Sequence, residues 1–375
     1  MKIVADENMA LLPVCFGWAG EVVALPGRAI DRAAVRDADA LLVRSVTRVD
    51  AALLADSRCR FVGTATSGRD HIDTAFLAGA GIEFGWARGC NANAVVDYCF
   101  AVLATLAQET GRDWHEASFG IIGCGAIGSR FARRLLALGL PVAIYDPLLA
   151  ASHPLAAWFH PLEQVLGQSV LSLHTPLTRS GLHPTAALLA AERLAALSPD
   201  TLLINAARGA VVDNAALVAL LRRQPQRRVV LDAWEGEPCI DPDLRDRVWL
   251  GTPHIAGYSI EGKENGTRML VPAFCACFDL PEPAIPALAA ARTMLAPPPG
   301  LSPRQQVDAV ILQAYAPRAD DARLRDMPDS EDRGQYFDQL RRSYPLRREF
   351  SAARIDSAAL APATATMLQH VGFAT

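Results

Sequence analysis

The sequence predicts an α/β protein with two Rossmann-like, doubly wound parallel sheets and a cleft between their domains, followed by a smaller α+β C-terminal domain. Three observations predict it. Short β-branched runs alternate with helical patterns over most of the chain, the signature of parallel strands joined by helical crossovers. One of those strands runs into the glycine pattern "GIIGCGAIG". A proline- and alanine-rich stretch ending in "APPPG" separates the last 75 residues from the rest.

Nine runs read as strands: "KIVAD", "ALLVR", "FVGTA", "FGIIG", "VAIYD", "VLSLH", "TLLIN", "VVLDA" and "VWLGT". The first three precede residue 92 and six follow it. Between the sets, Val95, Val96, Cys99, Val102, Leu103 and Leu106 recur at near-helical spacing, which predicts a long helix from about Ala92 to Gln108, ended by Thr110 and Gly111. The expected domains are therefore 1–92 with 258–280 as a substrate-binding lid, 93–257 as a nucleotide-binding domain, 281–300 as an extended linker, and 301–375 as a C-terminal domain. Hinges near 90–94 and 257–270 would let the lid close.

Composition narrows the function. A net charge of −4 with 20% charged residues gives no positive field to hold nucleic acid or an anionic membrane. A small-molecule partner is expected. Lys2 and Lys263 are the only lysines, so a single arginine here carries little information. The eight cysteines form no CxxC pair and no zinc-spaced Cys/His cluster, which predicts reduced thiols and no metal. No signal-peptide pattern opens the chain, and the most apolar stretch, "AVVDYCFAVLATLA", is short and carries Asp97. A cytoplasmic location is expected.

The glycine pattern has the context that gives it meaning. Gly123 allows a tight turn after the strand, Gly125 lets backbone approach a pyrophosphate, and Gly128 lets the following helix pack close. The helix N-terminus offers unpaired N–H groups to an anion. Strand "VAIYD" ends in Asp146, about 20 residues on, where a carboxylate accepts ribose hydroxyls and repels a 2′-phosphate. NAD is expected rather than NADP. Cys124 fills the loop as a small residue.

Three later strands each end in a loop with one titratable or charged residue: Arg208 in "LLINAARGAVVD", Glu237 in "VVLDAWEGEP" and His254 in "LGTPHIAGYS". That strand edge is where open α/β sheets bind ligands. Oxidising a hydroxyl beside a carboxylate needs an anchor, a base and a hydride acceptor. Arg208 offers the planar fork of donors, His254 brings an imidazole, the natural proton acceptor among side chains, and Glu237 would orient that ring and raise its basicity. Asp232 is a further acid on this edge.

The segments "NAARGAVVD", "DAWEGEP" and "TPHIAG", in this order after the glycine loop, resemble the signatures of the D-isomer-specific 2-hydroxyacid dehydrogenase family, over about residues 35–270. The resemblance implies that Arg208 binds the substrate carboxylate and that Glu237 and His254 relay the proton. It also implies that Ala126, Ile127, Asp146, Thr175, Ala206, Asp232 and Gly257 contact NAD.

Further text, "KIVADENM", "VRSVTRV", "FVGTATSGRDHID", "GCNANAV", "PHIAGYSIEGK" and "LRRSYPLRREF", is similar to a branch acting on a small phosphorylated 2-hydroxy acid. That similarity implies that Ser45, Thr66 and Tyr258 contact substrate and that the tail mediates homodimerisation. A second phosphate-bearing end needs donors away from Arg208. Arg44, Ser45, Thr47, Thr64 and Thr66 are candidates, with Arg88 as a further cation and Arg347 or Arg348 as one reaching a neighbouring subunit's site. Another 2-hydroxyacid dehydrogenase, such as one acting on phosphoglycerate, or a non-catalytic NAD-sensing binding protein, would carry the same signatures.

Overall fold

A computed structural model describes residues 1–149, 152–286, 294–345, 347–356 and 360–374. The chain divides into two compact units, Met1–Ala92 with Ser259–Ala291, and Asn93–Tyr258 with Arg292–Thr375.

The first unit is built on a parallel five-stranded sheet in the order β2-β1-β3-β4-β5, comprising β1 (Lys2–Asp6), β2 (Glu21–Leu25), β3 (Ala40–Val43), β4 (Phe61–Thr64) and β5 (Glu83–Trp86). Its central strands are covered on both faces, which is why they read as unbroken apolar runs. Ile3, Leu42 and Phe61 pack with Phe16, Leu270 and Phe274 on one side, while Val4, Leu41 and Val62 pack with Leu54 and Leu77 on the other. The two strands that the sequence reading missed, β2 and β5, are the sheet's edges. Both are partly exposed, so they lack the uninterrupted apolar signal.

The second unit holds a parallel six-stranded sheet in the order β11-β10-β9-β8-β6-β7. Its strands are β6 (Phe119–Ile122), β7 (Val142–Tyr145), β8 (Val170–Leu173), β9 (Leu202–Asn205), β10 (Val229–Leu231) and β11 (Leu250–Gly251). All pairings are parallel. The chain moves outward from β6 in both directions, so the switch of strand order lies between β6 and β8, where doubly wound sheets open a crevice at their carboxyl ends. The helix Ala92–Thr110 is buried along this sheet; its Asp97 accepts from the Arg134 guanidinium and the Phe350 backbone N–H.

The tail shares the second unit's core instead of forming one of its own. Val307, Ile311, Phe350 and Phe373 pack in one cluster with Phe100, Leu103 and Phe131. Phe337 and Leu324 join the cluster on the other face of the sheet. It is mostly helical, with helices Pro303–Ala314, Arg318–Arg325, Arg333–Arg342 and Pro362–Val371 and one short parallel pair, β12 (Met294–Leu295) with β13 (Arg354–Ile355). Part of the expected linker, 287–293, lies outside the described residues, and β12 occupies two of its last positions.

The helix Arg318–Arg325 also covers the open edge of β11. Asp321 accepts the Gly251 N–H at 2.8 Å, and Arg318 donates to the Trp249 carbonyl at 2.6 Å. An unpaired strand edge is an invitation to wrong pairing; here side chains from the tail satisfy it. All eight cysteines are free thiols. Among the described residues no helix is long and apolar enough to cross a membrane, and no group of His, Cys, Asp or Glu is placed to hold a metal.

Candidate active site

Every motif of the second unit falls at the carboxyl end of its sheet. The glycine loop follows β6, Asp146 follows β7 and Thr175 follows β8. Two of the three glycines are required by close approach. A Cβ on Gly128 would lie 1.9 Å from the Gly123 carbonyl oxygen, and one on Gly123, whose φ is +93°, would meet the His174 carbonyl at 2.7 Å and Thr175 Cγ2 at 2.9 Å. At Gly125 the same construction meets nothing within 4 Å, so the backbone there borders open space.

These features fit a dinucleotide. The helix Gly128–Ala137 begins at Ile127 with no side-chain cap, leaving its N-terminus to an anion. Thr175 abuts the turn, and its Oγ1 is buried with no hydrogen-bond partner among the described residues, an orphan that a ligand group would satisfy. Asp146 holds the loop by accepting the Cys124 N–H at 2.8 Å and the Leu148 N–H at 3.2 Å, which leaves carboxylate lone pairs for ribose hydroxyls. Burial pushes the Cys124 thiol up to about 11, with Asp146 adding to it, so Cys124 is an inert filler of the loop.

The chemistry-bearing loops follow three adjacent strands, β9, β10 and β11. Asn205, at the end of β9, shapes the arginine loop: its amide accepts from the Ala207 N–H and donates to the Arg208 carbonyl. Arg208 donates to the Ala207 carbonyl at 2.7 Å. Gly209 brings this loop against the next, since a Cβ there would lie 1.9 Å from the Trp234 carbonyl carbon and 2.1 Å from the Glu235 nitrogen. Ala206 is half-buried beside it.

Glu237 Oε2 sits 2.7 Å from His254 Nδ1, and its Oε1 accepts the Trp234 N–H at 2.7 Å. Each carboxylate oxygen thereby has a partner. Burial raises the Glu237 carboxyl, but the adjoining imidazole and the Trp234 hydrogen bond outweigh it and hold the group below its ordinary range. With Nδ1 engaged, Nε2 is the nitrogen left for a substrate. His254 has a positive φ of 55°, a conformation that a non-glycine residue keeps only where surroundings impose it.

Asp232 and the tail impose it. The Asp232 carboxylate, 1% exposed, accepts from Thr252 Oγ1 at 2.7 Å, from the Ile255 N–H at 2.7 Å and from the Ala256 N–H at 3.0 Å. Tyr98 and Trp234 complete the support through the Thr252 hydroxyl and carbonyl. Burial raises the Asp232 carboxyl, opposed by His254 and these hydrogen bonds. On the far side, Arg347 donates to the carbonyls of Tyr258 at 3.0 Å and Ala256 at 2.5 Å and lies over the Tyr315 ring at 4.2 Å. The sequence suggests that Arg347 or Arg348 reaches a neighbouring subunit's site. The structure corrects this for Arg347: it is 8% exposed and holds the His254 loop of its own chain. Gly257 and Tyr258 close that loop, both half-buried.

On the first unit, Ser45 is exposed after β3 and Thr66 half-buried after β4. The Thr66 hydroxyl bonds Thr64 Oγ1 at 2.9 Å and the Gly68 carbonyl at 2.8 Å. Thr47 is a correction: its hydroxyl is buried and donates to the Gly27 carbonyl at 2.7 Å, so it supports the loop from within. Arg88 lies over the Trp86 ring at 5.6 Å, which gives it a structural partner.

Sequence reasoning missed Thr252, Tyr98 and Arg347 as supports of the His254 loop. Thr252 stands inside "TPHIAG" and was within reach; Arg347 was hidden among many arginines.

Residues 101–256 match the family model for the NAD-binding domain of D-isomer-specific 2-hydroxyacid dehydrogenases, and residues 290–372 match a domain of unknown function. The chain is 45% identical to the erythronate-4-phosphate dehydrogenase of Marinobacter nauticus, over 100% of this chain and 99% of that protein. It is 46% identical to the one from Pseudomonas entomophila, over 99% and 98%. Among solved structures, NAD+-bound 3-phosphoglycerate dehydrogenase from Entamoeba histolytica superposes with a TM-score of 0.64 at 22% identity, covering 74% of this chain and 95% of that one. D-Lactate dehydrogenase from Aquifex aeolicus, complexed with NAD and lactic acid, gives 0.63 at 23%, covering 74% and 96%. Those two likenesses establish the fold and leave a quarter of this chain unmatched. The full-length identity goes further: the chain belongs to the erythronate-4-phosphate dehydrogenases, within the D-isomer-specific 2-hydroxyacid dehydrogenase family.

Proposed function

We propose that this chain oxidises 4-phospho-D-erythronate at C2 to 2-oxo-3-hydroxy-4-phosphobutanoate, a step toward pyridoxal 5′-phosphate, and that it works as a cytoplasmic homodimer. NAD, when bound, supplies the hydride acceptor. Gly123, Gly125, Ala126, Ile127 and Gly128 would hold its pyrophosphate, Asp146 its ribose, and Thr175, Ala206, Asp232 and Gly257 the rest.

The chain's own part is orientation and proton transfer. Arg208 anchors the C1 carboxylate with its guanidinium fork. His254 Nε2 takes the C2 hydroxyl proton as the C2–H bond gives up its electron pair, and the Glu237 carboxylate stabilises the imidazolium that forms. Asp232 and Arg347 hold the loop so that the imidazole is already oriented before substrate arrives. Ser45 and Thr66 of the first unit, with Tyr258, contact the substrate.

One observation supports the chemistry above all: the 2.7 Å Glu237–His254 pair stands on the same sheet edge as a glycine loop fitted for a dinucleotide. The substrate rests on the full-length likeness to erythronate-4-phosphate dehydrogenases. The test is NADH formation with 4-phospho-D-erythronate, 3-phosphoglycerate and D-lactate at matched concentrations. We expect the highest kcat/KM with the first; a preference for either of the others would overturn the substrate assignment.

A further inference from the structure

We propose that Arg341, on the tail helix Arg333–Arg342, binds the substrate's phosphate and makes this enzyme selective for a phosphorylated four-carbon acid. The inference rests on the function proposed above and deepens it.

That helix is seated on the loop that carries Glu237. Gly334 has no side chain where a Cβ would lie 2.9 Å from Cys239 Sγ and 3.4 Å from Pro238 Cγ. Phe337, fully buried, packs in one cluster with Trp234 and Ile240. Positions 334, 337 and 341 are spaced by three and four, so they share one helical face. Arg341 is therefore delivered to the acid–base loops by the same face that docks the helix. Its guanidinium carbon lies 5.8 Å from the centroid of the Tyr258 ring, at the end of the His254 loop.

The guanidinium is only partly consumed there, through a hydrogen bond to the Tyr258 side chain. Its Nε is buried with no hydrogen-bond partner among the described residues. Glu237, whose charge it feels, is engaged by the Trp234 N–H and the His254 imidazole. A buried donor on a charged group is costly to leave unmatched. A phosphate dianion supplies several acceptors at once and suits the arginine fork. Arg208 cannot serve both ends of the substrate, so the phosphate needs a separate cation.

The test compares kcat/KM for 4-phospho-D-erythronate and for unphosphorylated D-erythronate in wild type, Arg341→Gln and Arg341→Lys. Binding of 4-phospho-D-erythronate to the NADH-loaded protein is followed in parallel by calorimetry. In Arg341→Gln we expect the preference for the phosphorylated acid to fall about 10- to 100-fold, the scale of charge-assisted hydrogen bonds, and its affinity to fall with it. Arg341→Lys, which keeps the charge, should restore part of both, and added inorganic phosphite should speed D-erythronate oxidation in wild type more than in Arg341→Gln. An unchanged preference in Arg341→Gln, whether or not both rates drop together, would overturn the assignment and leave Arg341 as a support of the Glu237 loop. If wild type itself shows no preference for the phosphorylated acid, the proposed function fails first and this inference with it.

Discussion

Replacing Glu237 with Gln isolates the contribution of one negative charge. The glutamine preserves the shape of the side chain and an acceptor for the Trp234 N–H, but it removes the carboxylate 2.7 Å from His254 Nδ1. At an effective dielectric of about 20, two unit charges about 4 Å apart interact by about 4 kcal/mol. The pair is partly open, with side chains 34% and 20% exposed, so about half of that, roughly 2 kcal/mol, is the working figure after screening. That corresponds to a rate loss of about 30-fold. Initial rates of NADH formation, beside NADH binding followed by tryptophan fluorescence as the control for cofactor affinity, measure the loss. A variant that turns over like wild type would refute the role given to Glu237.

Other outcomes follow from the packing. Gly209→Ala puts a Cβ 1.9 Å from the Trp234 carbonyl carbon; we expect a loss of at least about 1–3 kcal/mol in stability and weaker substrate binding, read by urea unfolding and KM, because the Arg208 loop must move off its neighbour. Burial pushes Asp308 up to about 7, although Trp114 donates to it at 2.7 Å. Its folded pKa lies above the unfolded one, so ionising it costs stability as pH rises toward 7. Asp308→Asn, which keeps an acceptor for the indole, should raise stability at pH 8 by about 1 kcal/mol or more. His115 and His174 are held down by burial to about 4 and about 3. The unfolded chain takes up these two protons first, so stability falls as pH drops below about 6.5. Each contributes about 1.4 kcal/mol per pH unit, and Asp308 offsets one of them in wild type. Urea unfolding at pH 6.5 and 5 should therefore show a steeper loss in Asp308→Asn than in wild type.

The legible parts of this protein were those where one residue type answers one local demand. The strands with both faces covered announced themselves as apolar runs, and Gly123 and Gly128 are glycines because backbone stands where a Cβ would go. Arg208, Glu237 and His254 were found because each ends a strand of the same sheet. What stayed hidden depends on partners distant in the chain. The edge strands β2 and β5 are half-exposed, so their pattern is diluted. Thr47 looked like a free hydroxyl until Gly27 came beside it. Arg341 and Arg347, in an arginine-rich tail, differ from their neighbours only by where the fold buries them.

The most direct test of the central claim uses 4-phospho-D-erythronate carrying deuterium at C2, with NAD, and mass analysis of the reduced cofactor. Wild type should yield singly deuterated NADH with one 2-oxo acid formed per cofactor reduced, and His254→Ala should yield almost none while still binding NADH. Unlabelled NADH from wild type, or undiminished label transfer by His254→Ala, would contradict the account.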